Sequence, residues 1–203
     1  MNRNLIILLG VFFILLVSCA QNDKKIIIEY NESLINNGLE KVFINIDSLS
    51  SFDIFRNRLQ DIACEKKLPV ISFQINDTIK KIYSNEFCLD GKIGGLYKAR
   101  NNIEIIDDSI HKNDIIHKMD RLCNLLSKDF LNKGNDSLYS DSPDKLVINI
   151  AYKNKEFRHL KYLLNEITNC YNKLEIESEL NLSFMEIIFP KLIDESVSEN
   201  NEN

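Results

Sequence analysis

One pattern is written twice in this chain, and it restricts the fold more than any other feature. Lys41 to Asp47, KVFINID, alternates, with Val42, Ile44 and Ile46 on one face. Alternation of this kind reads as a half-buried strand. Ser50 or Ser51 is placed to cap a following helix. Its apolar residues Phe52, Phe55, Leu59 and Ile62 recur at spacings of three and four, the stripe of an amphipathic helix. Leu68 to Asn76, LPVISFQIN, then alternates again. Near the other end, Lys145 to Tyr152, KLVINIAY, aligns Leu146, Ile148 and Ile150. Phe157, Leu160, Leu164, Ile167, Tyr171 and Leu174 form a second helical stripe, and LSFMEIIFP supplies a strand ending before Pro190. Each copy carries Ile-Asn-Ile, then Phe, a Leu seven residues after it, an Ile ten after it, then Cys and Lys-Leu. Cys64 and Cys170 occupy matching places. The two strand–helix–strand units are therefore a candidate internal repeat.

Between them, Ile79 to Ile106 is rich in strand formers. Asp90-Gly91 and Gly94-Gly95 are turn signals, and a hairpin is predicted with Asn101-Asn102 near its tip. A helix is predicted from about Ile110 to Leu131, with Ile115, Met119, Leu122, Leu126 and Phe130 inward and Asp107, Asp108 or Ser109 as its cap. Gly134 to Pro143 reads as a polar loop. The expected class is α+β: a mixed sheet with amphipathic helices packed on it, two strand–helix–strand units flanking a β-hairpin region. The globular region is expected over residues 39–190, its first unit over 39–76, with a tether in 19–38 and an acidic, disordered tail in 191–203.

The amino terminus has its own logic. Arg3 is followed by an apolar run, Leu5 to Val17, broken only by Gly10. A permanent membrane helix needs roughly 20 apolar residues, so the run reads as a signal peptide over residues 1–18. Leu16-Val17-Ser18-Cys19 resembles the lipobox of bacterial lipoproteins. The resemblance implies that the Cys19 thiol receives a diacylglycerol, that cleavage precedes Cys19, and that the new amino terminus is acylated. Several acyl chains anchor firmly, at about 0.8 kcal/mol per buried CH₂. Ala20, where an aspartate is linked with inner-membrane retention in enteric lipoproteins, points to the outer membrane. Without residues 1–18 the chain loses one basic side chain of 25 and keeps all 30 acidic ones. That balance excludes nucleic acid, which requires a concentrated basic face.

Four cysteines then remain: Cys64, Cys88, Cys123 and Cys170. An exported chain with an even number permits disulfides. Cys on apolar helix faces also packs as a small hydrophobe, and helices resting on a sheet seldom bring two Cβ atoms face to face. The expectation is four free thiols, with Cys64 unbridged to Cys170 and Cys88 unbridged to Cys123.

From Pro69 to Phe189 the expected element order resembles the periplasmic domain of the ExbD/TolR biopolymer-transport family. HKNDIIHKMDRLCNLL, Asp144 to Ala151 and KEFRHLKYLLNEI stand where that family has a helix, a strand and a second helix. The resemblance implies a folded module that pairs with another protein. It does not extend to proton coupling, because LIILLGVFFILLV carries no carboxylate.

Catalytic patterns are missing. His111 and His117 lack the i, i+4 spacing of a metal pair, and His159 lies off the apolar stripe. Gly91 to Gly95 lacks the order of a phosphate loop. Asp107-Asp108 and Asp120 have no partner pattern, and no G-x-S-x-G occurs. No cofactor, metal or catalytic residue is expected. The primary expectation is a lipid-anchored, non-catalytic interaction module of the cell envelope, reaching the membrane through Cys19 and a protein partner through an exposed strand edge. The alternative is a small-ligand-binding domain or enzyme whose site no linear motif reveals. An exposed edge strand would favour the first, and a polar pocket the second.

Overall fold

Each copy of the repeated pattern folds as a strand–helix–strand unit whose two strands lie side by side in parallel. The computed structural model describes residues 25–86, 88, 98–152 and 156–185. In the first unit, β2 (Lys41–Asn45) and β3 (Leu68–Ile75) flank α1 (Phe52–Cys64), and Ile44 pairs with Ile71. In the second, β8 (Val147–Ala151) and β9 (Leu182–Phe184) flank α3 (Arg158–Asn172), and Ile150 pairs with Phe184. The Ser51 hydroxyl accepts the Ile54 amide at 3.2 Å and starts α1, as a cap should. Phe52, Phe55, Leu59 and Ile62 are its buried residues.

The units sit in two different mixed sheets of an α+β fold. The first sheet adds β1 (Ile26–Tyr30) and β4 (Thr78–Tyr83), in the order β1-β4-β3-β2. The second adds β5 (Asn102–Ile106), β6 (Ser109–Lys112) and β7 (Ile115–Lys118), in the order β7-β6-β5-β8-β9. A further helix, α2 (Leu122–Leu131), carries the chain from β7 back to β8. Ile26–Tyr30, readable as a strand although it falls within the 19–38 stretch assigned to the tether, is an integral edge of the first sheet. Likewise the strand at Leu68–Ile75, the first element of the ExbD/TolR-like order, belongs to the first sheet; the second is built wholly from Asn102 onward.

One apolar cluster joins both sheets and all three of these helices. Phe55 of α1 packs edge-on against Phe184 of β9, ring centres 4.9 Å apart, and lies 5.9 Å from Phe157. The two units are thus packed on each other through their aromatic residues. The α3 stripe Phe157, Leu160, Leu164, Ile167 is buried in the same cluster as Ile148 and Ile150. Leu164 is fully enclosed, so Leu164→Ala should lower stability by about 2–5 kcal/mol in urea denaturation. A loss under about 0.5 kcal/mol, typical of surface positions, would contradict this packing.

Three expectations are corrected. The helix over 110–131 starts only at Leu122. Ser109 to Lys118 is instead a hairpin, with Ser109 opposite Lys118 and Lys112 opposite Ile115. Its turn residues Asn113 and Asp114 both take left-handed φ, 48° and 64°, the backbone of a tight two-residue hairpin turn. The helical spacing of Ile115, Met119 and Leu122 is coincidental. Asp107, at φ 52°, turns the chain between β5 and β6 and caps no helix. Asn101 ends a short 3₁₀ turn and Asn102 begins β5, so neither forms a hairpin tip. The Gly91 to Gly95 turns and the 191–203 tail lie outside the described residues.

The third correction concerns the thiols. Cys64 is bonded to Cys88, with Cα atoms 4.5 Å apart, and Cys123 to Cys170, at 5.0 Å. Both distances suit a disulfide. The expectation treated these residues as parts of helix faces lying flat on a sheet. Cys64 is instead the last residue of α1, exposed where the chain leaves β4. Cys123, in the first turn of α2, meets Cys170 in the last turn of α3. Phe130, near the other end of α2, packs edge-on against Tyr171. Thus α2 lies across the end of α3, a crossing that lets the two Cβ atoms meet.

Candidate functional site

Parallel strands bring their starts to one pole, and there the second sheet leaves a cleft. The first residues of β8 and β9, Val147 and Leu182, form its apolar floor. Lys98 and Asn101 come from the chain entering β5, Asp141, Asp144 and Lys145 from the chain entering β8, and Asn181 precedes β9. Asn85 and Glu86, just past the end of β4, close the cleft from the first sheet. Its volume is about 510 Å³.

One wall is rigid. Asp141 holds Arg100 at 2.5 Å and Lys98 at 3.2 Å, and its amide donates to Asn101 Oδ1 at 2.8 Å. Behind it, the loop after α2 is fixed by buried polar groups. Lys112 Nζ donates to Asp129 Oδ1 at 2.7 Å and to the Arg100 carbonyl at 2.6 Å. The Ser140 amide donates to the same Asp129 oxygen. Asn132 Nδ2 donates to the carbonyls of Asp136 and Ser140, both at 2.8 Å. The polar loop read from the sequence is thus a bonded shelf for the cleft.

The opposite wall carries an unmatched group. Glu86 Oε2 is buried and meets no hydrogen-bond partner among the described residues. Burial alone pushes its carboxyl up to about 7, because the charged form is desolvated without a counter-charge. A carboxyl raised on folding stabilises the native state below its unfolded value, and that contribution is lost as pH rises through 7. At 1.36 kcal/mol per unit, the shift from 4.5 to about 7 amounts to on the order of 3 kcal/mol. Glu86→Gln should therefore raise stability by up to about 3 kcal/mol at about pH 8 and change it little near pH 4. Equal effects at both pH values in denaturation curves would contradict the burial of this carboxyl.

Compared with family models, curated proteins and solved structures, the chain finds no significant match in any of the three. The likeness to the ExbD/TolR periplasmic domain therefore rests on element order alone.

The other candidates do not converge. His111 faces Ile116 across the β6–β7 ladder and His117 faces Ile110, so the two imidazoles lie on opposite faces. His159 is on α3. Asp107 and Asp108 turn β5 into β6, and Asp120 lies in the 3₁₀ turn before α2. Among the described residues no group of three or more His, Cys, Asp or Glu is arranged to hold a metal, and no helix is long and apolar enough to cross a membrane. Cys19 and Gly91 to Gly95 lie outside the described residues. Sequence reasoning missed Glu86, which no spacing marks. It also missed Asp129, although an acid inside the stripe Leu122, Leu125, Leu126, Phe130 was a visible signal.

A second feature is an edge. Among the described residues β7 ends the second sheet and pairs on one side only, with β6. Ile115 and Ile116 point to opposite faces of the strand, yet are 57% and 67% exposed. Edge strands are normally blunted by shortness, charges, proline or bulges, and β7 is four residues long with Lys118 at its end. β7 has neither proline nor an interruption in its pairing with β6.

Proposed function

We propose that this protein is a lipid-anchored interaction module of the cell envelope, without catalysis, that takes a strand from a protein partner along β7. The observation that carries the reading is the open apolar edge Ile115-Ile116. A partner strand added there completes the unpaired backbone groups, and the two isoleucines supply contacts on both faces. The meander–helix–strand–helix–strand order from Asn102 to Phe184 supports a module of the ExbD/TolR kind. The lipobox-like tetrapeptide at Cys19 supports the anchor, and two disulfides fit an oxidising compartment outside the cytoplasm. We favour the outer membrane.

Geometry gives the anchor a consequence. The tether from Cys19 to Lys25 spans at most about 24 Å when extended. It enters the fold at Ile26, opposite Thr78 at the start of β4, whereas the cleft lies past the end of that strand. The cleft then faces away from the membrane.

Two measurements test the reading. Cys19→Ala should abolish incorporation of labelled fatty acid, and label persisting in the variant would refute the anchor. A photo-crosslinking residue at position 116 should give a protein adduct in the envelope, and one at the equally exposed Tyr162 of α3 should not. Adducts from both positions, or from neither, would refute the edge.

A further inference from the structure

The cleft and the β7 edge are separate features, and the cleft has a chemistry of its own. Its floor is aliphatic, Val147 and Leu182, and one wall is lined by Glu86, whose buried Oε2 has no partner among the described residues. The other ionic groups nearby are accounted for in part. Lys98 and Arg100 are drawn to Asp141. Asp144 and Lys145 also face the cleft.

An oxygen that is buried and unpartnered costs free energy until a donor reaches it. A donor that fits must bring positive charge for the carboxylate and apolar length for the floor. Lysine and arginine side chains have that construction, an aliphatic stem with a charged head. We propose that the cleft binds a lysine or arginine side chain of a peptide, its stem on Val147 and Leu182 and its cation on Glu86. An open cleft suits a peptide, whose backbone continues past the bound side chain. The side-chain amides of Asn85 and Asn181 beside it offer hydrogen bonds to that backbone, while Asn101 is committed to Ser140 and Asp141.

Binding of this kind is linked to protons. Only ionised Glu86 attracts the cation, while the ligand stays charged well above neutrality. With a carboxyl at about 7, affinity should fall about tenfold from pH 8 to pH 6. The test is an NMR titration of the full-length chain in detergent, disulfides intact. The probes are the Nα-acetyl, N-methylamide derivatives of lysine, arginine and norleucine, together with 1,5-diaminopentane. The lysine or arginine compound should shift the amides of Glu86, Val147 and Leu182 and weaken about tenfold from pH 8 to pH 6. Glu86→Gln should lose at least tenfold at pH 8 and keep the unliganded spectrum elsewhere, which separates lost binding from lost folding. Norleucine binding as tightly as lysine would overturn the ionic contact. Tighter binding of the free diamine would overturn the peptide. No shift with any probe, or an unaffected Glu86→Gln variant, would overturn the site.

Discussion

Reduction of the two disulfides is expected to unfold this domain at ambient temperature. The bonded cysteines are 24 and 47 residues apart in sequence, and the two loops do not overlap. By the chain-entropy estimate such loops contribute about 3.4 and about 4 kcal/mol, chiefly by restricting the unfolded state. Together they supply about 7 kcal/mol, against a typical total of about 5–15 kcal/mol. The Cys123–Cys170 bond should matter more, because it closes the longer loop and ties exposed Cys123 of α2 to buried Cys170 of α3. Urea denaturation with and without reductant measures the sum, and paired Cys→Ser variants apportion it. A combined loss below about 2 kcal/mol, the low end for a single bond, would contradict these bonds as constraints on the native fold. Alkylation of the unreduced protein should modify none of the four thiols.

What the sequence made legible follows from how locally each feature is encoded. Both strand–helix–strand units were readable because period-two and period-3.6 patterns sit in contiguous stretches, closed by Ser51 in the first case. The β6–β7 hairpin was misread because Ile115, Met119 and Leu122 mimic a helical stripe, while the decisive signal is two residues, Asn113-Asp114, able to take left-handed φ. That the two units lie in different sheets depends on β1 reaching β4 and β5 reaching β8, pairings that no local pattern specifies. The disulfides escaped for the same reason. Their geometry depends on where helix ends meet. The cleft is the least legible of all, since Glu86, Val147 and Leu182 are brought together only by the two sheets.

Loss of Lys112 should be the most damaging single change on the shelf beneath that cleft. Its side chain is 3% exposed and its partner's, that of Asp129, is fully enclosed. Burial pushes the lysine down and the carboxyl up, each towards its neutral form, and their mutual bond opposes both shifts. Lys112→Met keeps the stem and removes the charge. Asp129 then keeps the Ser140 amide on one oxygen, and its other oxygen has no partner among the described residues. Breaking a buried pair from one side costs about 3–5 kcal/mol. Replacing both partners, Lys112→Met with Asp129→Leu, should recover much of that. The Arg100 carbonyl and Ser140 amide would still lose their partners, at about 1–3 kcal/mol each. The sign of the pH dependence separates this from a packing defect. In Lys112→Met the carboxyl of Asp129 loses its cation and rises further, so the native state holds its proton to higher pH than the unfolded chain does. The variant should therefore be least impaired in acid and lose stability as pH rises towards neutrality. A deficit independent of pH would mean that the stem, not the charge, holds the loop. Hydrogen exchange supplies the link to the site. The amides of Ser140 and Asp141 should lose protection in Lys112→Met and regain little in the double variant, because the Ser140 amide needs the carboxylate itself.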